Sequence, residues 1–393
     1  MTDAYIVIAK RSAVAKIRGG FSQTRPDSLI AELIKETLDL VPNLDKSAID
    51  DVIIGCAMPE AEQGWNIGRV ASLLAGLPNT VPGVTVNRLC SSGLQAIAMA
   101  ANAIKAKEAN IIVAGGVESM SMIPMVGNKP SVNPAVYDDN IGIAYGMGMT
   151  AEKVADKWKI SREMQDEFAV ESHKRSLKAQ ADNTFDDEII PIEATKTSFD
   201  LLTDKIVTST KIISKDEGPR EGSTVEILAN LRAVFAQNGS VTAANSSQMS
   251  DGAGVVLVCS KDAIDKYKLT PIAKFLGFDV CGVAPEYMGI GPLYAIPKVL
   301  QKLDLKQSDI GWLELNEAFA AQSVAVINEL KLKTDVVNPL GGAISLGHPL
   351  GATGAIRTAT LLHGMQRTNQ KYGMVSMCIG VGMGAAGVFE NLQ

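Results

Sequence analysis

The chain has 393 residues, of which 46% are hydrophobic and 20% charged. That is enough for about two to three domains, and the apolar content excludes disorder and collagen-like repeats. A formal net charge of −6, from 37 Lys and Arg against 43 Asp and Glu with no basic run, argues against nucleic acid as a partner.

No stretch reaches the roughly 18 apolar residues of a membrane-spanning helix. Lys10 and Arg11 follow the apolar run Tyr5 to Ala9, the reverse of a secretory signal. Five cysteines scattered without C-x-x-C spacing predict reduced thiols, and with them a cytoplasmic location. Three widely separated histidines argue against a metal site.

Taken in chain order, Tyr5 to Ala9 predicts a strand, and Leu33 to Gly55 (LIKETLDLVPNLDKSAIDDVIIG) reads as helix, polar turn and strand. The β-branched segment Val84 to Val86 then leads through Cys90 into SSGLQAIAMAANAIKAK, whose composition favours a helix. A thiol at such a strand-to-helix turn faces unpaired amides and the positive end of the helix dipole. This predicts a lowered pKa and a nucleophile, set against the alternative of an ordinary buried cysteine. Ser91, Ser92 and Gly93 leave room for a substrate.

The run IIVAGGVES predicts a strand, after which the segment from Met120 to Ser250 has no counterpart elsewhere and reads as an insertion. It opens on the loop-like MSMIPMVGNKPSVNPAVYDDNIGIAYGMGM and contains a helix from Arg162 to Gln180, capped by Ser161, whose charges are expected on a solvated face. Val255 to Cys259 predicts a buried strand.

Ala295 to Asn316 (AIPKVLQKLDLKQSDIGWLELN) then echoes Leu33 to Gly55. Val337-Asn338 echoes Val86-Asn87, and GMVSMCIGVGMG echoes IIVAGGVES, as expected for two related β-helix-β halves. Within the second half, Asn316 is placed either to cap a helix or to orient a water. His348 lies in the glycine-rich GGAISLGHPLGATG, the loop equivalent to that of Cys90. Its alternatives are a structural side chain and a base for the thiol. Cys378 lies in MCIGVGMGAAG, which is too near the end of the sequence for a dinucleotide loop and leaves a second thiol beside free amides. Cys56, Cys259 and Cys281 are expected to be structural, and His173 and His363 to lie at the surface.

VNRLCSSGLQAI, LNEAFAAQ, GGAISLGHPLGATGA and CIGVGMGAAG, in that order and spacing, resemble the thiolase family from the first strand to the last residues. The resemblance implies an α/β fold with five αβαβα layers, built from two βαβαβαββ halves with an inserted loop domain. Its divisions fall near 1–119, 120–250 (the insertion, returning to the first half near its end) and 251–393. It also implies a homo-oligomer, dimer or tetramer, with a hydratase/dehydrogenase subunit of a β-oxidation complex as a further partner.

By that resemblance Cys90 is the nucleophile that carries an acyl thioester, His348 its base and an oxyanion donor, and Cys378 the second acid/base. Asn316 holds the water that joins His348 in one oxyanion hole, and the amides of Cys90 and Gly380 form the other. Ser247 matches a pantetheine contact, and Arg220, Met288 and Phe319 match wall or nucleotide-end positions. CoA and acyl-CoA are substrates, so no resident cofactor or metal is expected.

CSSG after Arg88-Leu89, AGGVESMS and GAAGVFE resemble the degradative 3-ketoacyl-CoA thiolases more than the biosynthetic acetoacetyl-CoA enzymes. A near rival is a decarboxylating condensing enzyme, against which Cys378 argues, and a more distant one is a catalytically silent CoA- or lipid-binding protein. Val381 stands where many relatives carry glycine, and its side chain is expected to narrow the acyl pocket.

Overall fold

The computed structural model describes residues 2–393. The strands are β1 (Tyr5–Ser12), β2 (Ala15–Lys16), β3 (Asp51–Gly55), β4 (Val84–Val86), β5 (Ile111–Ser119), β6 (Ile189–Ile190) and β7 (Ile192–Asp200). They continue with β8 (Lys205–Ile213), β9 (Ser250–Cys259), β10 (Ala273–Gly282), β11 (Ile310–Leu315), β12 (Tyr372–Ile379) and β13 (Met383–Asn391).

The main sheet runs β11-β12-β13-β10-β1-β9-β5-β3-β4, with β2 on β9 and β6 on β1. Its two halves have the same plan and meet where β1 and β10 pair antiparallel through Tyr5↔Lys274 and Ile6↔Ala273. In the first half β3 and β5 run parallel, and β9 is antiparallel between β5 and β1. In the second half β11 and β12 run parallel, with β13 antiparallel between β12 and β10. The segments around Val86 and Val337 lie at the corresponding outer edges of the two halves. β4 pairs parallel with β3, and in the second half this outer strand is reduced to one parallel bridge, Leu313↔Val337.

Because strand side chains alternate between faces, each half of the sheet contributes to two cores. Along β9, Val255 and Leu257 pack with the helices Pro26–Asp39 and Ile67–Leu74, whereas Val256 and Val258 enter a central core. That core also takes Val375, Met377 and Phe389 from the second half, with Leu94 and Ile97 of the helix Ser92–Ala106 and Ala355 and Leu361 of the helix Thr353–Thr368. Met374 and Val388 point the other way, onto Ile296, Val299 and Val326 from the helices Gly291–Lys302 and Ala320–Leu330. The layers are therefore helix, sheet, helix, sheet, helix.

The two central helices approach closely because glycines face each other. A Cβ on Gly93 would lie 2.9 Å from the Gly351 carbonyl oxygen, and one on Gly354 would lie 2.3 Å from the Leu94 amide. This contact brings the N-terminal turns of both helices to one place.

β9 lies in the first half's sheet, so the division between halves falls after Cys259 rather than at residue 250. The inserted segment is tied to β1 by Arg11, whose buried guanidinium bonds Glu188 (2.6 Å) and Asp216 (2.7 Å). It also sends out the β7–β8 hairpin, whose tip residues Leu201 and Leu202 are exposed. The helix Arg162–Ala181 is capped by Ser161 as expected. Its charges are not all solvated: Glu163, Glu167, Lys174 and Lys178 are exposed, but Asp166, Ser172, His173 and Ser176 are buried in polar contacts. Among the described residues no helix is long and apolar enough to cross a membrane.

Candidate active site

The turn that carries Cys90 is held by short polar side chains. Asn87 Oδ1 accepts from the Leu89 amide (2.8 Å), and its Nδ2 donates to the Ala57 carbonyl (2.9 Å). Ser92 Oγ accepts from the Arg88 amide (2.9 Å) and donates to the Leu89 carbonyl (2.6 Å). Together they hold Leu89 at φ +46°, a left-handed conformation that costs a non-glycine residue roughly 1–2 kcal/mol. Cys90 follows at once, just before the helix Ser92–Ala106.

β12 delivers Cys378 to the same place from the opposite end of the chain. The Gly380 amide donates toward Cys90, and the two sulfurs are close enough for the charge on one to act on the other. The expected lowering of the Cys90 pKa is corrected here. Burial pushes the thiol up to about 11, against the downward pull of the Gly380 and Cys90 amides. Helix-terminal amides favour the anion, but desolvation outweighs them. Cys378 is raised well above the ordinary thiol range by burial and then by the charge of Cys90, and its Sγ–H donates to Gln322 Oε1 (3.3 Å).

His348 completes the group. Thr353 Oγ1 donates its one hydrogen to the Pro349 carbonyl (2.8 Å), so it accepts from His348 Nδ1 (2.6 Å). That assigns the proton to Nδ1 and leaves a lone pair on Nε2, toward which Asn316 Nδ2 points at 3.3 Å. Burial, aided by the Arg357 charge, lowers the imidazole pKa to about 3, which keeps it neutral.

Asn316 does not cap a helix, because the next one begins at Ala320. Its amide N–H instead bonds the Ser376 carbonyl (2.9 Å), two residues before Cys378, and its buried Oδ1 has no partner among the described residues. Leu350, two residues beyond His348, packs in the same apolar cluster as Cys90. Asn316 and His348 are thus linked to the Cys90–Cys378 pair through Ser376 and Leu350.

Of the outer residues, Met288 and Phe319 belong to the same buried apolar cluster as Cys378, together with Met147, Ala151, Val241 and Ala318. Ser247 is half-buried, and its amide bonds the Ala318 carbonyl (3.0 Å). Arg220 is exposed, and its amide donates to His173 Nδ1 (3.2 Å). His173 is therefore not at the surface: burial lowers its pKa to about 4. His363 is half-buried, with Nε2 bonded to the Ala9 carbonyl at 3.1 Å.

Thr353, Gln322 and Glu118 were not singled out by the sequence. Only Thr353 offered a local signal, a hydroxyl five residues after His348 at the start of a helix.

Val381 corrects a further expectation. It is 43% exposed and absent from the side chains packed around Cys378, so it does not narrow that wall. Its peculiarity is backbone strain: in the turn Gly380–Val381–Gly382 between paired Ile379 and Met383 it sits at φ +58°, where a β-branched residue is a genuine outlier. Val381→Gly is expected to stabilise the protein by about 1 kcal/mol, read as a higher urea midpoint at unchanged slope.

A duplicated α/β fold whose halves bring two thiols and a neutral imidazole to facing helix N-termini has the equipment of a covalent acyl-transferring enzyme. The chain belongs to the thiolase family. The family profile described as "Thiolase, N-terminal domain" matches residues 4–262, and "Thiolase, C-terminal domain" matches 269–391. The protein is an acyltransferase.

It is 49% identical over 391 residues to a 3-ketoacyl-CoA thiolase of Bacillus subtilis (strain 168), covering 99% of this chain and 100% of that one. It is 42% identical over 410 residues to a beta-ketoadipyl-CoA thiolase of Acinetobacter baylyi (strain ATCC 33305 / BD413 / ADP1), covering 100% of each. The dimeric peroxisomal thiolase of Saccharomyces cerevisiae superposes with a TM-score of 0.88 at 39% identity, over 100% of this chain and 98% of that one.

Proposed function

We propose that the protein cleaves 3-ketoacyl-CoA with CoA, giving acetyl-CoA and a shortened acyl-CoA, as a degradative step of fatty-acid β-oxidation. The observation that carries this reading is the meeting of Cys90 and Cys378 beneath an apolar wall of Met147, Val241, Met288 and Phe319. Cys90 gives its proton to His348 Nε2, and its sulfur attacks the ketone carbon. The Cα–Cβ bond breaks, and Cys378 protonates the departing acetyl-CoA enolate at carbon. CoA then attacks the Cys90 thioester while Cys378 takes the CoA proton, and Cys90 recovers its own from His348. The amides of Cys90 and Gly380 face one developing oxyanion, and His348 with Asn316 the other. CoA is a substrate in this scheme, and the inserted segment 120–250 covers its entry beside Ser247.

The apolar wall favours a neutral chain over the ω-carboxylate of a ketoadipyl substrate. The cluster around Cys378 is hydrophobic, and a carboxylate set unpaired against such a surface is strongly disfavoured. Flexible methionines also adapt to chains of different length. A cytoplasmic homo-oligomer fits the same reading.

Comparing kcat/KM for 3-ketooctanoyl-CoA, 3-ketoadipyl-CoA and acetoacetyl-CoA tests it. The eight-carbon substrate is expected to exceed the ketoadipyl one by at least about 100-fold, since a buried unpaired charge costs several kcal/mol. A preference for 3-ketoadipyl-CoA moves the enzyme to aromatic-acid breakdown, and a preference for acetoacetyl-CoA moves it to the biosynthetic class.

A further inference from the structure

Glu118, at the end of β5, is fully buried, and the acyl-transfer scheme gives it no part. Its Oε2 accepts from the amides of Ala57 (2.8 Å) and Gly351 (2.7 Å), and its Oε1 from the Met58 amide (3.2 Å). Gln63 Nε2 also donates to it. The orientation of that amide is fixed because Gln63 Oε1 accepts from the Ser119 amide (2.9 Å). Cys56 Sγ lies at 3.8 Å. All the nitrogen neighbours are donors, so a protonated carboxyl would have no good acceptor for its hydrogen, and the arrangement fits the anion.

Glu118 points from β5 into the central helix layer, the side on which Ile112 and Ala114 also lie, and it reaches the turn before the helix Thr353–Thr368 through Gly351. Gly93 and Gly354 face each other across the central helices, and three residues before them stand Cys90 and Gly351. The residue equivalent to Cys90 is thus Gly351, and His348 belongs to the longer turn that precedes it. In one half a helix-terminal amide and Gly380 face the thiols; in the other, the Gly351 amide and two loop amides close on a carboxylate.

We propose that Glu118 is a positioning residue of the acyl-transfer site, its carboxylate tying the Gly351 amide to the Cys56–Met58 loop and so fixing the turn of His348 beside Cys90. This rests on the thiolase reading of Cys90 and His348. The loop it grips also bonds Asn87 through the Ala57 carbonyl, which connects it to the Cys90 turn. The negative charge of Glu118 also raises the Cys90 thiol.

Two readouts test this, with Glu118→Gln, Glu118→Asp and Gly351→Ala. The last keeps the carboxylate but sets a methyl 2.7 Å from its Oε2 and from the Ala57 nitrogen. Glu118→Gln and Gly351→Ala are expected to lower kcat about 100-fold, the scale of a 1 Å misplacement, with KM within threefold. Glu118→Asp recovers part of that loss.

The pH midpoint for alkylation of Cys90 by iodoacetamide, followed on its own peptide, is expected to fall in Glu118→Gln and to stay near wild type in Glu118→Asp. A loosened fold would instead speed alkylation at every pH without moving the midpoint. Unchanged kcat in both Glu118→Gln and Gly351→Ala overturns the proposal, and Gly351→Ala decides alone if Glu118→Gln does not fold. The midpoint is a property of the thiol, so it reports on Glu118 even if the wild-type protein lacks thiolysis, an outcome that would overturn the functional reading instead.

Discussion

Substrate without CoA is expected to leave an acyl group on Cys90, and Cys90→Ser is expected to carry none. In the wild-type protein, brief incubation with 3-ketooctanoyl-CoA adds the mass of a hexanoyl group to the peptide containing Cys90. In the variant, kcat falls on the order of 10⁴-fold or more, as for loss of a covalent nucleophile elsewhere. The size of the effect follows from the acid–base setting of the site. Burial holds the thiol near 11 and the imidazole near 3, so thiol and base are both neutral at rest, and proton transfer between them is uphill. A thiolate is a weak enough base for the Gly380 and helix-terminal amides to offset that cost in the transition state. An alkoxide is a far stronger base, and the same neutral imidazole cannot generate it at a useful rate. Finding the label only on Cys378 or another residue rejects the assignment of the nucleophile.

The sequence disclosed what is carried locally. The β-branched segment before Cys90 and the alanine-rich run after it define a strand-to-helix turn from nearest neighbours alone, and the Val86/Val337 echo marks the outer strand position of each half. The direction of the Cys90 pKa was not legible, because burial is tertiary: the turn predicts stabilising amides but not the loss of water. His173 and Glu118 were hidden for a related reason. Their partners are backbone amides of Arg220, Ala57 and Gly351, and an amide carries no sequence identity. The solvated face expected for the helix Arg162–Ala181 failed where Ser172 and Ser176 meet Ser345 across 3.0 and 2.6 Å, since serines read as solvent-facing unless their partners are known. Strain at Leu89 and Val381 was hidden because each turn imposes a left-handed conformation that the residue's own preference opposes, through the Asn87 and Ser92 side chains at Leu89 and the β12–β13 pairing at Val381.

Cys378→Ala is expected to separate the two halves of the reaction. Its thiol stays protonated in the free enzyme, because burial raises it and Gln322 Oε1 receives the proton at 3.3 Å. A group held as an acid beside the nucleophile is suited first to protonating the enolate carbon of departing acetyl-CoA, after which its thiolate takes the proton of incoming CoA; without it the enolate recombines with the acyl-enzyme faster than it leaves. Cleavage of 3-ketooctanoyl-CoA, followed by loss of enolate absorbance, is expected to fall about 10²–10⁴-fold, the usual contribution of a positioned acid. Exchange of labelled CoA into hexanoyl-CoA forms and breaks only the Cys90 thioester. Cys378 takes the proton of the incoming thiol there, but that thiol is acidic enough to lose it to water instead, so exchange is expected to fall less than about tenfold. A merely structural Cys378 would depress both reactions together, because it shares a buried cluster with Met288 and Phe319 of the wall that any acyl chain must touch. Equal losses therefore remove Cys378 from the chemistry, whereas unequal ones assign it the carbon-centred proton transfer.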